Sequence, residues 1–169
     1  MALDTQKVIV QVLAKLTKAL DLSVTPEAVI SVKKEFALTN GTGANQADKI
    51  FTDQRTLAAG VSEDLDLAGV LVDALGDVIT FARIKALVVI AAAANPNNIV
   101  VGNAAANGFV GPFGAATHTH SVRPGGFYAW GCSDATGYPV TGGTADLLKI
   151  LAGAGGNHIY DIVIIGASA

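Results

Sequence analysis

The stretch FALTNGTGANQADKIF, Phe36–Phe51, decides the fold class, because a glycine-rich loop between two apolar runs either binds phosphate or turns the chain. A phosphate-binding loop needs backbone N–H groups at the N-terminus of a helix, and a P-loop adds Gly-Lys-Ser or Gly-Lys-Thr. Here Gly41 and Gly43 are not followed by that motif, and the residues after them alternate as in a strand. Since Gly and Asn accept the positive φ angles of tight turns, the stretch predicts a turn between two strands.

The rest of the chain continues this pattern of short apolar runs separated by Gly, Pro, Asn and Asp. Roughly eight to ten strands at such spacing predict an all-β sandwich or barrel. The run DVITFARIKALVVIAAAA, residues 77–94, is rich in Val and Ile and predicts the most central strand. Residues 67–77, LAGVLVDALGD, are a segment in which the pattern allows a short helix.

The first twenty residues fit two kinds of structure. Alternation of apolar residues favours a strand, whereas polar residues at helical spacing favour a helix. The apolar set is Val8, Val10, Val12, Ala14 and Leu16, and the polar set is Lys7, Gln11, Lys15 and Lys18. Because the β-branched content is high, we expect a strand or an extended arm. The predicted organisation is an N-terminal arm or first strand over residues 1–21 and a sandwich domain over residues 22–169.

The composition favours a protein whose surface is partly covered by other chains; the alternative is a compact monomer rich in Ala and Gly. Charged residues make up 15% of the 169 residues, against roughly 25% in ordinary soluble domains. Apolar residues make up 51%, and the mean hydropathy is +0.48. The apolar run Ala86–Ala94 is too short to span a bilayer, which needs about 20 residues. The net charge of −3 argues against nucleic-acid binding. We therefore expect protein partners, with no membrane and no direct nucleic-acid contact.

No residue pattern indicates catalysis, a cofactor or a metal. His118 and His120 are two residues apart, which suits two metal ligands on one strand face. His158 or Asp134 could supply a third ligand, but nothing in the sequence brings these residues together. Cys132 is the only cysteine, and beside Trp130 it resembles a buried hydrophobe. The sequence has no G-x-S-x-G nucleophile elbow. The prediction is a non-enzymatic protein without catalytic, cofactor-binding or metal-binding residues.

The stretch GGFYAWGC carries aromatic residues on both faces of a predicted strand, and this pattern indicates an interface. The predicted interface residues combine this cluster with the alternating apolar residues of the arm. They are Phe127, Tyr128, Trp130, Val8, Val10, Val12 and Leu16. A carbohydrate-binding platform formed by Tyr128, Trp130 or Tyr138 is the alternative use of such aromatic residues.

Several long stretches resemble one family of small virion structural proteins of tailed bacteriophages. These stretches are FALTNGTGANQADKIFTDQRTLAAGVSEDLDLAGVLVDALGD, NNIVVGNAAANGFVGPFG, VRPGGFYAW, DATGYPVTGGTADLLKI and YDIVIIGASA. They extend over about residues 36–169, and the chain is similar in type to capsid cement or decoration proteins. The resemblance implies an antiparallel β-sandwich, jelly-roll-like, and no active site. It also favours the strand interpretation of the first twenty residues.

The resemblance implies a role in assembly. The expected partners are other copies of the chain, most simply in a trimer, and the major capsid protein, whose subunit contacts the chain would stabilise. The expected location is the capsid surface of the virion, after synthesis in the host cytoplasm. A minor tail or neck protein, or a glycan-binding β-sandwich module of the particle, is the alternative.

Overall fold

The computed structural model describes residues 3–21 and 25–169 and contains only β-strands as regular elements in these ranges. The strands are β1 Thr5–Thr17, β2 Glu27–Thr39, β3 Lys49–Leu57, β4 Ser62–Asp66, β5 Leu71–Val72, β6 Val78–Ile79, β7 Arg83–Ala91, β8 Ile99–Gly102, β9 Thr119–Val122, β10 Phe127–Gly131, β11 Tyr138–Pro139, β12 Leu147–Ala152 and β13 His158–Ala167. All pairings between these strands are antiparallel, and none of their sheets closes on itself. The predicted all-β antiparallel class is therefore confirmed.

The larger sheet has the strand order β10-β7-β13-β3, with β11 pairing alongside part of β7. Its inner strands β7 and β13 are rich in Val and Ile, as expected where both strand edges are paired and one face is buried. The run predicted as the most central strand, residues 77–94, contains β7, which is one of these two inner strands.

A second sheet has the order β4-β12-β8-β9 and packs against the first. Along β12 the buried residues Leu148, Ile150 and Ala152 alternate with half-buried ones, as in a strand with one face toward the core. Side chains from both sheets enter a single hydrophobic core. The arrangement is sandwich-like, with the core between the two sheets.

A polar cluster joins the sheets at one side of this core. The hydroxyl of buried Tyr160, on β13, donates to Oε1 of Glu63 on β4 at 2.7 Å. Nε of Arg55, on β3, donates to Oε2 of Glu63 at 2.7 Å, and its Nη1 donates to Asp53 at 2.6 Å. Burial raises the pKa of Tyr160, and the Glu63 carboxylate raises the pKa of Arg55. Both groups therefore keep the protonation states that these hydrogen bonds require.

The N-terminal strands lie outside both sheets. β1 pairs with β2 along thirteen residues each, from Thr5↔Thr39 to Thr17↔Glu27, in a separate two-stranded hairpin. The sequence predicted an arm of residues 1–21 and a sandwich from residue 22, and the structure pairs that arm with residues 27–39. Residues 1, 2 and 22–24 of this prediction lie outside the described ranges.

The short helix that the pattern allowed at residues 67–77 is wrong. This segment contains β5, which pairs with β6 around a turn at Asp73. Oδ1 of Asp73 accepts hydrogen bonds from the backbone N–H groups of Leu75 at 2.8 Å and Asp77 at 3.0 Å. These bonds lower the pKa of Asp73. The carboxylate thus supplies the local backbone bonds that compete with a helix.

The loop between β2 and β3 is the turn that the sequence predicted. Gly41 has a φ angle of 140° and Asn45 one of 55°, both in the region that favours glycine and asparagine. The N–H of Gly43 donates to Oε1 of Gln46 at 2.8 Å, so a side chain of the loop itself satisfies this donor. The loop connects two strands without a helix N-terminus.

Candidate interaction surface

One face of the hairpin is almost entirely apolar. Directly opposed residues of an antiparallel pair share a face, so the register places the even-numbered residues of both strands together. The pairs Gln6↔Leu38 and Val8↔Phe36 form the base of the hairpin. Beyond this hairpin base the apolar face consists of the pairs Val10↔Lys34, Val12↔Val32, Ala14↔Ile30 and Leu16↔Ala28. Its side chains are exposed, with Val12 at 56% and Val32 at 62%. Exposed aliphatic side chains in such a continuous group are typical of a surface that another chain covers.

The opposite, odd-numbered face of the hairpin is the charged face. Nζ of Lys7 lies 2.7 Å from Glu35, Nζ of Lys33 lies 2.5 Å from Glu35, and Nζ of Lys15 lies 2.5 Å from Glu27. The hydrogen bonds from Lys33 and then Lys7 lower the pKa of Glu35 from 4.5 to about 2. This face also carries the exposed side chains Ile9, Leu13 and Val29. Since the ion pairs of the hairpin all lie on this side, the two faces differ in chemistry.

The hairpin base packs on the larger sheet through the same apolar side. Leu38 is fully buried, and Val8 and Phe36 are partly buried against the same cluster of residues. A side chain at Gly131 would collide with the Phe36 ring, because a Cβ atom there would lie 2.6 Å from Cζ. Glycine at this position therefore leaves room for the ring. The apolar side of the hairpin is thus an extension of an internal packing surface.

The larger sheet has an outer face, turned away from the core, that is also largely apolar. The register aligns three rows across β10, β7, β13 and β3. The hairpin base packs at the covered row, which is Gly131, Ala86, Ile165 and Ile50. The two open rows are Ala129, Val88, Val163 and Thr52, followed by Phe127, Ile90, Asp161 and Gln54. Phe127 is 71% exposed, and Ile90 is also exposed. The open rows continue the surface on which the hairpin base packs.

The predicted interface residues occupy four different environments, two on β10 and two on the arm. Phe127 lies in an open row, whereas Tyr128 and Trp130 point to the core and are half-buried. The Trp130 ring contacts Tyr138 edge-on at a centroid distance of 4.4 Å, and the Tyr128 ring stacks on His120 at 4.1 Å. Burial raises the pKa of Tyr128 to about 12.

On the arm, the predicted residue Val8 lies in the hairpin base, where it is partly buried. The other three, Val10, Val12 and Leu16, are exposed on the apolar face. The predicted arm residues thus belong to β1, and the paired residues of β2 complete the same face of the hairpin.

Sequence reasoning missed the β2 side of the apolar face and every residue of the open rows except Phe127. Val32 and Ile30 join the apolar face only because β2 pairs with β1 in this register. Val88 and Ile90 lie in the open rows, and their signal was the unbroken apolar run of β7. A strand with one solvated face should alternate, so an unbroken run indicates that both faces are covered.

The polar residues considered for catalysis or metal binding have other contacts. Nδ1 of His118 is 2.7 Å from the carbonyl oxygen of Phe113, and Nδ1 of buried His158 is 2.9 Å from that of Gly156. Burial raises the pKa of Cys132 to about 11, which disfavours its thiolate at neutral pH. Over residues 3–21 and 25–169, no three His, Cys, Asp or Glu side chains are grouped closely enough to hold a metal ion. In the same ranges there is no helix of the length and hydropathy needed to cross a membrane.

A cavity of about 390 Å³ lies beside the β5–β6 hairpin, and its lining includes Asp48, Asp73 and Asp77. Two of these carboxylates stabilise the local structure. Asp73 accepts the turn hydrogen bonds described above, and Asp48 accepts bonds from the backbone and hydroxyl of Ser168 at 2.8 and 2.5 Å.

Comparisons of this chain with protein families, curated protein sequences and solved structures found no match. Its function is therefore inferred from the apolar face of the hairpin and from the outer face of the larger sheet.

Proposed function

We propose that this chain is a non-enzymatic structural protein of a tailed-bacteriophage particle, a capsid cement or decoration protein that stabilises contacts between major capsid protein subunits. The observation that supports this proposal best is the hairpin with an exposed apolar face. A two-stranded hairpin is marginally stable by itself in water. A long hairpin that exposes Val12, Val32 and Leu16 gains stability when another protein covers it.

In this proposal the two main sheets form a β-sandwich of the jelly-roll type, and three copies associate on the capsid surface. Cyclic symmetry suits a subunit that offers a projecting hairpin and a separate receiving surface, because each copy can engage the next until the ring closes. A trimer presents three equivalent binding sites to the shell. Weak single contacts then add to a high overall avidity.

The alternative of a glycan-binding module is less well supported by the side-chain geometry. A carbohydrate platform requires exposed aromatic rings. The rings of Tyr128 and Trp130 instead pack against the core, and Tyr138 lies against Trp130. A minor tail or neck protein would use the same hairpin on a different partner, and binding to shells separates that role from a capsid role.

Two measurements test the proposal. Light scattering on the purified chain should give about three times its mass of 17.1 kDa. The protein should also co-sediment with empty shells of its phage's major capsid protein, and it should raise the temperature at which these shells come apart. The matched control is the same shells with an unrelated protein of similar size. A chain that stays in the supernatant at every concentration contradicts a capsid role and favours the neck or tail.

A further inference from the structure

We propose that the apolar face of the hairpin docks on the open rows of the outer sheet face of a second copy of this chain. The inference rests on the proposed function in one respect, since it specifies how the copies associate. The apolar face is exposed in the single chain. In the open rows Thr52, Gln54, Ile90 and Phe127 are exposed and the other four residues are half-buried. Both surfaces are largely apolar. The apolar face of one copy therefore covers the open rows of a neighbouring copy.

Within one chain, the hairpin base and the outer sheet face already form a contact of this kind. At the hairpin base, Val8, Phe36 and Leu38 pack on residues of the covered row, which belongs to the same outer sheet face. The apolar face continues this side of the hairpin outward, and the open rows continue the covered row across the sheet. The two surfaces that remain exposed therefore have the same chemistry as the two that are already in contact.

Charge complementarity favours the same pairing. Lys34 is the single charged residue of the apolar face, and it forms no ion pair with any residue of the described ranges. The other lysines of the two strands, Lys7, Lys15 and Lys33, each pair with a glutamate on the charged face. Asp161 is the single charged residue of the open rows, and its Oδ1 accepts a hydrogen bond from Gln54 at 2.8 Å. Docking places one cation opposite one anion within an apolar contact.

The dimensions of the two surfaces also agree. From Val10 to Leu16 the apolar face is about 20 Å long, at about 3.4 Å per residue. The four strands of the sheet extend over about 14 Å between the outermost strand axes, at about 4.8 Å per strand. A hairpin of this length can therefore cross all four strands. Ribbon-on-sheet packing of this kind follows the usual rules for two apolar β surfaces.

Each copy offers one hairpin and one open sheet face, so the contact joins two different surfaces. Such heterologous contacts propagate from copy to copy and close into a ring when the rotation allows it. A contact between two apolar hairpin faces would instead join identical surfaces and give a dimer. The two arrangements predict different cross-links.

Disulfide cross-linking between single-cysteine variants tests the docking directly. Cys132→Ala is the background, and one protein carries Val12→Cys while the other carries Ile90→Cys. After mixing and mild oxidation we expect the Val12→Cys and Ile90→Cys chains to be joined to each other. The matched control is Leu13→Cys, which is adjacent and similarly exposed at 68% but lies on the charged face. It should give at most about a tenth of that product.

Charge reversal is the second test, and it uses no cysteine variant. It can therefore contradict the proposal even if a cysteine variant folds poorly. Lys34→Glu should raise the dissociation constant for self-association about tenfold, and Asp161→Lys in the same chain should restore it. The control Leu13→Glu puts a negative charge on the opposite face without breaking an ion pair and should leave that constant within a factor of about two.

Three results overturn the docking: Val12→Cys chains joined mainly to each other, equal products from Val12→Cys and Leu13→Cys, or no rescue by Asp161→Lys. None of them bears on whether the protein binds shells. The shell-binding measurement can thus fail or succeed independently of the docking.

Discussion

Tyr160 is a fully buried residue whose polar atom has a single partner, the carboxylate of Glu63 on the facing sheet. The same carboxylate receives the guanidinium of Arg55, so three side chains from three strands satisfy one another at the side of the core. A buried hydroxyl without such a partner would be costly. This cluster therefore fixes how the two sheets meet at this side.

Replacing Tyr160 by Phe should lower the free energy of unfolding by about 1–2 kcal/mol, because Oε1 of Glu63 loses its donor in a half-buried position. Urea denaturation followed by fluorescence measures the change. The control is Tyr128→Phe, whose hydroxyl forms no hydrogen bond with the residues that the structure describes, and which should change stability by less than about 0.5 kcal/mol. Equal effects of the two substitutions would contradict the role of the Glu63 bond.

The burial of some residues cannot be predicted from the local sequence, because residues distant in the chain form their surroundings. Lys85 lies in β7 and is completely buried, and its Nζ donates to the backbone carbonyl of Asp134. The pairing of β7 with β13 shifts by one residue at Ile165/Gly166, which interrupts the alternation of faces near Lys85. A lysine is almost never fully buried, so no local pattern would have placed it inside.

Glu35 is the carboxylate of the charged face that forms two ion pairs, whereas Glu27 forms one. Glu35 is near two lysines, Lys33 on its own strand and Lys7 on the opposite strand. Because both hydrogen-bond the carboxylate, the pKa of Glu35 is lowered to about 2. A group with a lowered pKa in the folded state stabilises that state above its unfolded pKa and loses the effect as the pH falls through the folded value.

We therefore expect the Glu35 contribution to the hairpin to be complete above pH 4.5 and to disappear as the pH falls to about 2. A carbon-detected NMR titration of the Glu35 carboxylate should have its midpoint near pH 2. Lys33→Gln removes the strongest cause of the shift and should move the midpoint upward. Lys34→Gln, on the apolar face, should leave it in place. A midpoint near 4.5 in the unmodified protein would show that the lysines do not hold the carboxylate.

The hairpin also shows why the first strand was difficult to predict. Lys7, Gln11, Lys15 and Lys18 have the spacing of a helical stripe, and periodicity alone could not exclude a helix. The strand forms because β2 supplies backbone partners along its whole length. The pairing of Val12 with Val32 depends on the turn between the strands and on their register, and neither is encoded in the alternation of β1 alone.

At the scale of the whole molecule, the exposed apolar area should make stability depend on protein concentration. Association that occurs only in the folded state adds to the free energy of unfolding by mass action. We expect the melting temperature to fall by several degrees on hundredfold dilution. Val12→Ser should weaken this dependence, whereas Leu13→Ser, on the charged face, should preserve it. Calorimetry at several concentrations measures the effect, and a melting temperature that is constant on dilution would exclude assembly through the hairpin.

Much of the overall class could be predicted because it is local. Glycine and asparagine in the loop after β2 indicate a turn, and short β-branched runs indicate strands. The order of strands in each sheet could not be predicted, since Ile164 and Leu87 meet through a pairing between residues far apart in the chain. The outer sheet face depends on the same pairings, so only Phe127 of its open rows was identified.

The position of β13 has a consequence for synthesis on the ribosome. β13 lies between β7 and β3, yet it is translated after every other strand described above. Before it arrives β3 lacks its partner among these strands, and Ile165 is absent from the row on which the hairpin base packs. Until β13 is made, β3 has no partner strand among these strands and the apolar strand β7 can pair only with β10 and β11, and non-local pairing is slow. The yield of soluble protein in a cell should depend on elongation speed and chaperone supply more than on the stability of the finished fold.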